Sequence, residues 1–197
     1  MSGPKKFVFC EGKDDVAVVR GLAEHLKLEV VVGEYQGRDN LANFLHALAK
    51  RPEFVQQQPV LSMAILRDAD DDAVAAFASV RDTLRQNGFE APDANENFRE
   101  STPRVGVFIV GVNGKGMIED LCLKSVADRP EFACVGTYFG CIAQHSTRKE
   151  FHSKARFRVW MASQDDYKYD AGKAAEEGYW PWENPAFDAL KTFLRAL

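Results

Sequence analysis

Five acidic residues follow three of the four apolar runs in the sequence, at points where the chain turns. Glu11 and Asp15 follow the first run, Asp68 and Asp70 follow the third, and Glu119 follows the fourth. Converging carboxylates repel one another unless a cation lies among them, and clustered oxygen ligands suit Mg²⁺ or Mn²⁺. The residues therefore indicate a divalent-metal site. The alternative is that each acid only favours the start of a helix, through capping or the helix dipole.

The elements that must position these acids are predicted from the spacing of apolar residues. Strands are predicted at 6–10, 28–35, 60–66 and 104–112, and helices at 14–26, 41–48, 74–84 and 117–126. This alternation predicts an α/β fold with a mainly parallel sheet and helices on both faces. Ligands bind at the carboxyl ends of the strands in such folds, so we expect the acids at one edge of the sheet.

The rest of the chain is predicted to form a loop and a helical C-terminal portion. Residues 88–103 are rich in Asn, Asp, Glu and Pro, which indicates a loop, or a short edge strand followed by a loop. Helices are predicted at 132–145, 154–163 and 186–197. A chain of 197 residues with 46% hydrophobic content can bury one core but is short for two. We therefore expect a single domain over residues 1–197.

Charge and apolar runs restrict the classes of function. The net charge of −4 argues against a protein whose whole surface grips nucleic acid. A local basic stretch is nevertheless a candidate nucleic-acid contact, and the alternative is a solvated helix face. It consists of Arg148, Lys149, Lys154, Arg156 and Arg158. No apolar run approaches the roughly 20 residues of a membrane helix, and no signal-peptide region is present, so we expect a soluble, cytoplasmic protein.

The four cysteines form no CxxC pair and have mostly apolar neighbours, which is typical of reduced, buried thiols. They are Cys10, Cys122, Cys134 and Cys141. A zinc site is an alternative for the later part of the chain, where His145 and His152 follow two of the cysteines. The spacings of these four residues match no common zinc pattern, so we expect small core residues on a helix instead.

A family resemblance rests on the same acids. An apolar strand, Glu11-Gly12, Asp15 on a helix, and a later strand that ends in Asp68-Ala69-Asp70 resemble the signature of the TOPRIM superfamily. That superfamily includes topoisomerases, bacterial primases and OLD-family nucleases. The chain is more closely similar to small stand-alone TOPRIM-like proteins of unknown function. Their pattern also includes Gly37…Asn40-Leu41, Gly116…Glu119-Asp120, a lysine like Lys154 and the region Trp180-Pro181-Trp182 before the last helix.

The resemblance implies a TOPRIM-like, Rossmann-like fold and roles for the five acids. Glu11, Asp68 and Asp70 would hold Mg²⁺ or Mn²⁺, and Glu11 is also a candidate catalytic residue. Asp15 and Glu119 would serve a second ion, as in OLD-type nucleases.

The resemblance also implies that Lys154 neutralises charge that develops on a scissile phosphate, whereas a solvated lysine is the alternative. The chain differs from full members of these families. It has no DNA-gate region and no zinc-binding partner domain, and Gly114-Lys115-Gly116 lacks the Ser/Thr and the upstream glycine of a P-loop.

Three functions follow from these observations. The first is a metal-dependent nuclease or phosphodiesterase that acts on nucleic acid, in which two ions activate water and stabilise the leaving oxygen. The second is a non-catalytic module that binds a metal or a protein partner. The third is a phosphotransfer receiver, which the position of Glu11 on a different strand end disfavours.

Overall fold

The computed structural model describes residues 5–55, 60–147, 153–165 and 170–197. Its centre is a five-stranded sheet with the strand order β2-β1-β3-β5-β4, in which β4 alone runs antiparallel to its neighbour. The strands are β1 (Lys5–Cys10), β2 (Val31–Glu34), β3 (Val60–Asp68), β4 (Asn97–Arg99) and β5 (Arg104–Val110). The predicted α/β fold with a mainly parallel sheet is therefore confirmed.

Helices cover both faces of the sheet and make up most of the described C-terminal part. They are α1 (Lys13–His25), α2 (Leu41–Leu48), α3 (Pro52–Val55), α4 (Ala73–Gln86), α5 (Ile118–Ser125), α6 (Phe132–His145), α7 (Ser153–Ala162), α8 (Ala171–Glu176) and α9 (Asp188–Arg195). Short 3₁₀ turns lie at Arg38–Asn40 and Pro185–Phe187. In the part of the chain that is described, no helix is both long and apolar enough to cross a membrane.

The two faces of the sheet bury separate cores, because side chains alternate along each strand. On β3, Ala64 and Leu66 belong to the core that includes residues of α1, α5 and the C-terminal helices. Met63 and Ile65 belong to the core that includes residues of α2 and α4. The same alternation continues at the carboxyl end of β3, so neighbouring side chains there must also face opposite sides of the sheet.

Small residues let α8 pack closely against α1. A Cβ added to Gly172 would lie 2.7 Å from the Cβ of Ala17, and one added to Gly21 would lie 3.2 Å from the ring of Trp182. Trp180 closes this region, because its indole N–H donates to the carbonyl oxygen of Ala171 at 3.1 Å. The C-terminal helices thereby hold the N-terminal half of α1, which carries part of the acidic site.

The second strand is shorter in the structure than the predicted range 28–35. β2 extends only over Val31–Glu34, because its pairing with β1 begins at Phe7 and Val31, after the chain has turned out of α1 at Lys27. The segment 88–103 contains both a loop and the short edge strand β4, but most of the loop precedes the strand.

Candidate functional site

The end of β1 and the start of α1 place Glu11 and Asp15. The backbone N–H of Gly12 donates to Oδ2 of Asp15 at 2.9 Å, which fixes this side chain over the first turn of α1. Burial raises the pKa of Asp15 to about 7, and the nearby charges of Glu119 and Glu11 add to the effect, whereas the Gly12 hydrogen bond opposes it. Asp15 is therefore an oriented carboxylate with little compensating positive charge.

Asp68 is the last residue of β3, and its side chain lies on the α5 side of the sheet. Its Oδ1 accepts a hydrogen bond from the backbone N–H of Ile118 at 3.1 Å, at the start of α5. Burial raises the pKa of Asp68 to about 9, and the charges of Asp15, Glu119 and Glu11 raise it further. Three of the predicted acids thus lie within electrostatic reach of Asp68.

Asp70 lies just beyond β3 in a turn that a short bridge holds in place. It adopts a positive φ of 50°, which aspartate tolerates better than most residues. Its N–H donates to the carbonyl oxygen of Gly116 at 2.9 Å, and the N–H of Gly116 donates back at 2.6 Å. The Oδ2 atom of Asp70 lies 3.5 Å from Nη1 of Arg38. A cation from the loop after β2 therefore pairs with this acid.

Glu119 lies in the first turn of α5 and is only 7% exposed. Burial raises the pKa of Glu119, and Lys154 opposes this shift. The Nζ atom of Lys154 on α7 lies 3.7 Å from Oε1 of Glu119. Lys154 therefore borders the acidic cluster and pairs with one of its members.

Glu11 differs from the other four acids, because its Oε2 atom is buried and has no hydrogen-bond partner in the part of the chain that is described. Burial raises the pKa of Glu11, and Asp70 raises it further, whereas Arg67 and the backbone N–H of Arg38 lower it. The Nε atom of Arg67 is also buried without a partner. The positive charge of Arg67 and the backbone N–H of Arg38 thus offset part of the cost of burying the Glu11 carboxylate, and its Oε2 atom is available to a ligand.

Arg38, Arg67 and Tyr35 are site residues that the sequence analysis missed. Tyr35 is fully buried, and its hydroxyl donates to the carbonyl oxygen of Leu66 at 3.0 Å. The nearby Glu11 carboxylate and burial both raise the pKa of Tyr35. Of these three residues, Arg67 could have been identified from the sequence, because it is a charged residue near the end of a mostly apolar strand and directly before Asp68.

Strand alternation places Glu11 and Asp68 on opposite sides of the sheet, and the positive-φ turn at Asp70 carries that side chain towards Arg38. Asp15, Asp68 and Glu119 form one group, and Glu11 and Asp70 form a second group within electrostatic reach of the first. Across the described ranges, no three His, Cys, Asp or Glu side chains are gathered into a formed metal-binding group. The structure thus brings the five acids to one edge of the sheet in two groups.

Two open cavities of about 430 Å³ and about 510 Å³ adjoin this edge. Arg38 and Asp70 line both of them. The first also includes Lys115 and Asp120, and the second includes Glu11. A ligand in either cavity would therefore contact the Arg38–Asp70 pair.

The predicted basic stretch is described only in part, because Arg148 and Lys149 lie outside the described residues. Arg158 is exposed and lies one helical turn from Lys154 on α7. The guanidinium carbon of Arg156 lies 5.5 Å from the centre of the Phe139 ring on α6. Arg156 thus has a packing contact of its own, and the nucleic-acid role of the stretch stays a prediction.

The prediction of four buried thiols is wrong for two of them. Cys10 and Cys122 are buried, but Cys134 and Cys141 on α6 are exposed. The reason is that α6 packs against the protein through a narrow face, on which only Val135 and Phe139 are buried. Cys134 and Cys141 lie outside that face. As for the zinc alternative, His152 lies outside the described residues.

No curated protein matches this chain. Among solved structures it is similar to the C-terminal region of the OLD protein of Xanthomonas campestris pv. campestris. One structure of that region has 14% identity and a TM-score of 0.43 over 100% of this chain and 96% of that chain. A second has 14% identity and a TM-score of 0.41 over 98% and 89%. At these TM-scores the likeness carries no argument about the site.

A family model covers almost the whole sequence. The family is described as a protein of unknown function (DUF3226), and its model matches residues 5–197. The chain therefore belongs to the DUF3226 family.

Proposed function

We propose that this protein is a divalent-metal-dependent phosphodiesterase that cleaves nucleic acid. The observation that carries the proposal is the placement of five electrostatically coupled carboxylates at one sheet edge, one of which has a buried oxygen without a partner among the described residues. The residues that would hold Mg²⁺ or Mn²⁺ are Glu11, Asp15, Asp68, Asp70 and Glu119.

The chemistry of these donors fits such an ion. Carboxylate oxygens are the ligands that Mg²⁺ and Mn²⁺ prefer. Burial raises the pKa values of Asp15 and Asp68, neighbouring carboxylates raise them further, and a bound cation would favour the ionised forms of both. The unpartnered Oε2 atom of Glu11 offers one oxygen that needs no release from another contact.

The residues of the chain have distinct tasks in the proposed reaction. A bound ion supplies Lewis-acid stabilisation and an activated water. Asp15 and Asp68 accept backbone hydrogen bonds and are therefore oriented before any ligand arrives. Lys154 brings a positive charge to the edge of the cluster, where charge on a phosphate would increase in the transition state.

A specific observation favours a non-catalytic module as the second candidate. Asp70 and Glu119 each lie beside a cation, Arg38 and Lys154 respectively. In that function the two pairs fix the loop after β2 and helix α7 against the sheet edge, and the acidic surface binds a protein partner.

Cleavage assays on the purified protein decide between the two. Single-stranded, duplex and supercoiled DNA and RNA are incubated with Mg²⁺ or with Mn²⁺, and Asp68→Asn serves as the inactive variant. Asp93→Asn is the matched control, since Asp93 is 84% exposed and pairs with Arg85 away from the site. Metal-dependent cleavage by the wild type and the control, but not by Asp68→Asn, supports the nuclease. No cleavage of any substrate, with Mn²⁺ binding intact, supports the module.

A further inference from the structure

Arg38 occupies the boundary between the acids and the two cavities. Its Nη1 atom lies 3.5 Å from Oδ2 of Asp70, and its Nε atom lies 3.7 Å from Oδ1 of Asp39. Its side chain is 58% exposed, and that of Asp70 is 43% exposed. The guanidinium therefore covers one carboxylate of the site while it remains in contact with solvent.

The backbone of this loop is held firmly, although the Arg38 side chain is not. The N–H of Gly37 donates to the carbonyl oxygen of Glu11 at 2.8 Å, and the side-chain amide of Asn40 donates to the carbonyl oxygen of Tyr35 at 2.7 Å. Gly37 takes a φ of 96°, which favours glycine and sets the turn before Arg38. Exposed ion pairs contribute little stability, so the guanidinium can leave Asp70 at low cost while the loop keeps its place.

We propose that Arg38 is an exchangeable counter-ion that couples metal binding to phosphate binding. In the metal-free protein it covers Asp70. When a divalent cation takes that carboxylate, the guanidinium is released into the adjoining cavities and binds a phosphate of the substrate. The planar fork of arginine suits this task, because it donates two parallel hydrogen bonds to phosphate oxygens as well as to carboxylates. This inference rests on the proposed function.

The lining of the cavities points to the sugar-phosphate backbone as the group that is recognised. Lys115 adds a second cation to the lining of the first cavity. Among the described residues, no aromatic side chain lines either cavity, so neither offers a surface on which a base could stack. Binding should therefore depend on phosphates and be indifferent to base identity.

The test measures two affinities in the wild type and in Arg38→Gln. Mn²⁺ binding is followed by titration calorimetry without nucleic acid. Binding of short phosphorothioate oligonucleotides, one of thymidine and one of abasic residues, is followed by fluorescence anisotropy with and without Mn²⁺. Arg85→Gln is the matched control, because Arg85 is 50% exposed and pairs with Asp93 at 3.7 Å.

The expected changes have opposite signs. Arg38→Gln should bind Mn²⁺ about two- to five-fold more tightly, since an exposed competing ion pair has been removed. With Mn²⁺ present, it should bind both oligonucleotides more weakly. The slope of the logarithm of the binding constant against the logarithm of the salt concentration should become less negative by about 0.7, because one phosphate contact is lost. Without Mn²⁺ the variant and the wild type should bind them equally. Arg85→Gln should match the wild type throughout.

Three results would overturn the inference. Weaker Mn²⁺ binding by Arg38→Gln would mean that Arg38 only supports the structure, and unchanged oligonucleotide binding with Mn²⁺ would remove its phosphate contact. Clear preference for thymidine over abasic residues would require a base contact. In each case, a wild type that still cleaves nucleic acid with Mn²⁺ leaves the proposed function standing. A wild type that neither binds Mn²⁺ nor cleaves overturns both.

Discussion

Replacing Asp68 with asparagine removes one negative charge from the acidic cluster and nearly preserves the shape of the side chain. The amide oxygen can still accept the hydrogen bond that the backbone N–H of Ile118 donates to Oδ1 at 3.1 Å. What changes is the electrostatic energy, because burial and the charges of Asp15, Glu119 and Glu11 raise the pKa of Asp68 to about 9. The substitution therefore measures how much free energy of unfolding the protein loses by placing a titratable carboxyl group at this buried position.

The direction of the pH dependence follows from the raised pKa. Asp68 has an ordinary pKa of 3.8, and the folded protein raises it to about 9. Its contribution to stability is fully present below pH 3.8, falls as the pH rises, and is lost above the folded pKa of about 9. Between these limits the folded state binds more protons than the unfolded state, so the free energy of unfolding decreases by about 1.4 kcal/mol per pH unit.

Metal-free Asp68→Asn should therefore melt at a higher temperature than the wild type near pH 8, and the difference should shrink towards pH 4. Neighbouring acids share the protonation, so we expect a gain of about 1–3 kcal/mol rather than the full single-site value. For a chain of 197 residues this corresponds to about 2–4 °C per kcal/mol.

Thermal melts followed by circular dichroism in EDTA across this pH range provide the measurement. Asp93→Asn controls for net charge and should change little, because exposed ion pairs contribute little stability. Asp68→Ala also removes the acceptor for Ile118, so it should be less stable than Asp68→Asn by about 1–3 kcal/mol at every pH. An Asp68→Asn variant that melts below the wild type near pH 8, or whose advantage does not change with pH, would refute the electrostatic reasoning.

Three further predictions concern ligands and packing. Mn²⁺ at one hundred times its dissociation constant should raise the free energy of unfolding of the wild type by about 2.7 kcal/mol, and its melting temperature with it. In the same melts, Mn²⁺ should not change the melting temperature of Asp68→Asn. Lys154→Ala should slow cleavage at least about tenfold while calorimetry shows no loss of Mn²⁺ affinity, because Lys154 competes with the ion for Glu119 and contributes where phosphate charge develops. A loss of Mn²⁺ affinity as large as the loss of rate would assign it to the metal site. Arg156→Ala should lower the free energy of unfolding by about 0.5–1 kcal/mol through loss of its contact with Phe139, whereas Arg158→Ala should weaken oligonucleotide binding and leave stability unchanged.

The alternation of strands and helices was predictable from the sequence because each element carries its own periodicity. The predicted helix at 132–145 coincides with α6, and the predicted helix at 74–84 lies within α4, which Asp72 caps by accepting from Val74 N–H and Ala75 N–H. The meeting of the acids at one edge was equally predictable, since parallel strands share the end at which their carboxyl termini lie. Local pattern and strand direction were sufficient for both.

The partners of the acids were not predictable, because they depend on register between segments far apart in the sequence. Arg38 and Asp70 are paired across 32 positions, and Ile118 donates to Asp68 across 50. The exposure of Cys134 and Cys141 was missed for a related reason. An apolar helix shows which residues could be buried, but how much of it is covered depends on the elements that pack beside it.

The kinds of partner at the sheet edge decide where a ligand can enter. Gly12 and Ile118 hold their acids with backbone N–H groups, which belong to the start of a helix and cannot move without unwinding it. Arg38 and Lys154 hold theirs with exposed side chains, which can change partner while the fold stays intact. An incoming cation therefore displaces the side chains of Arg38 and Lys154. The carboxylates of Asp15 and Asp68 are already oriented, because backbone N–H groups hold them. Substitutions of Arg38 and Lys154 should therefore change ligand binding while the stability of the fold changes little.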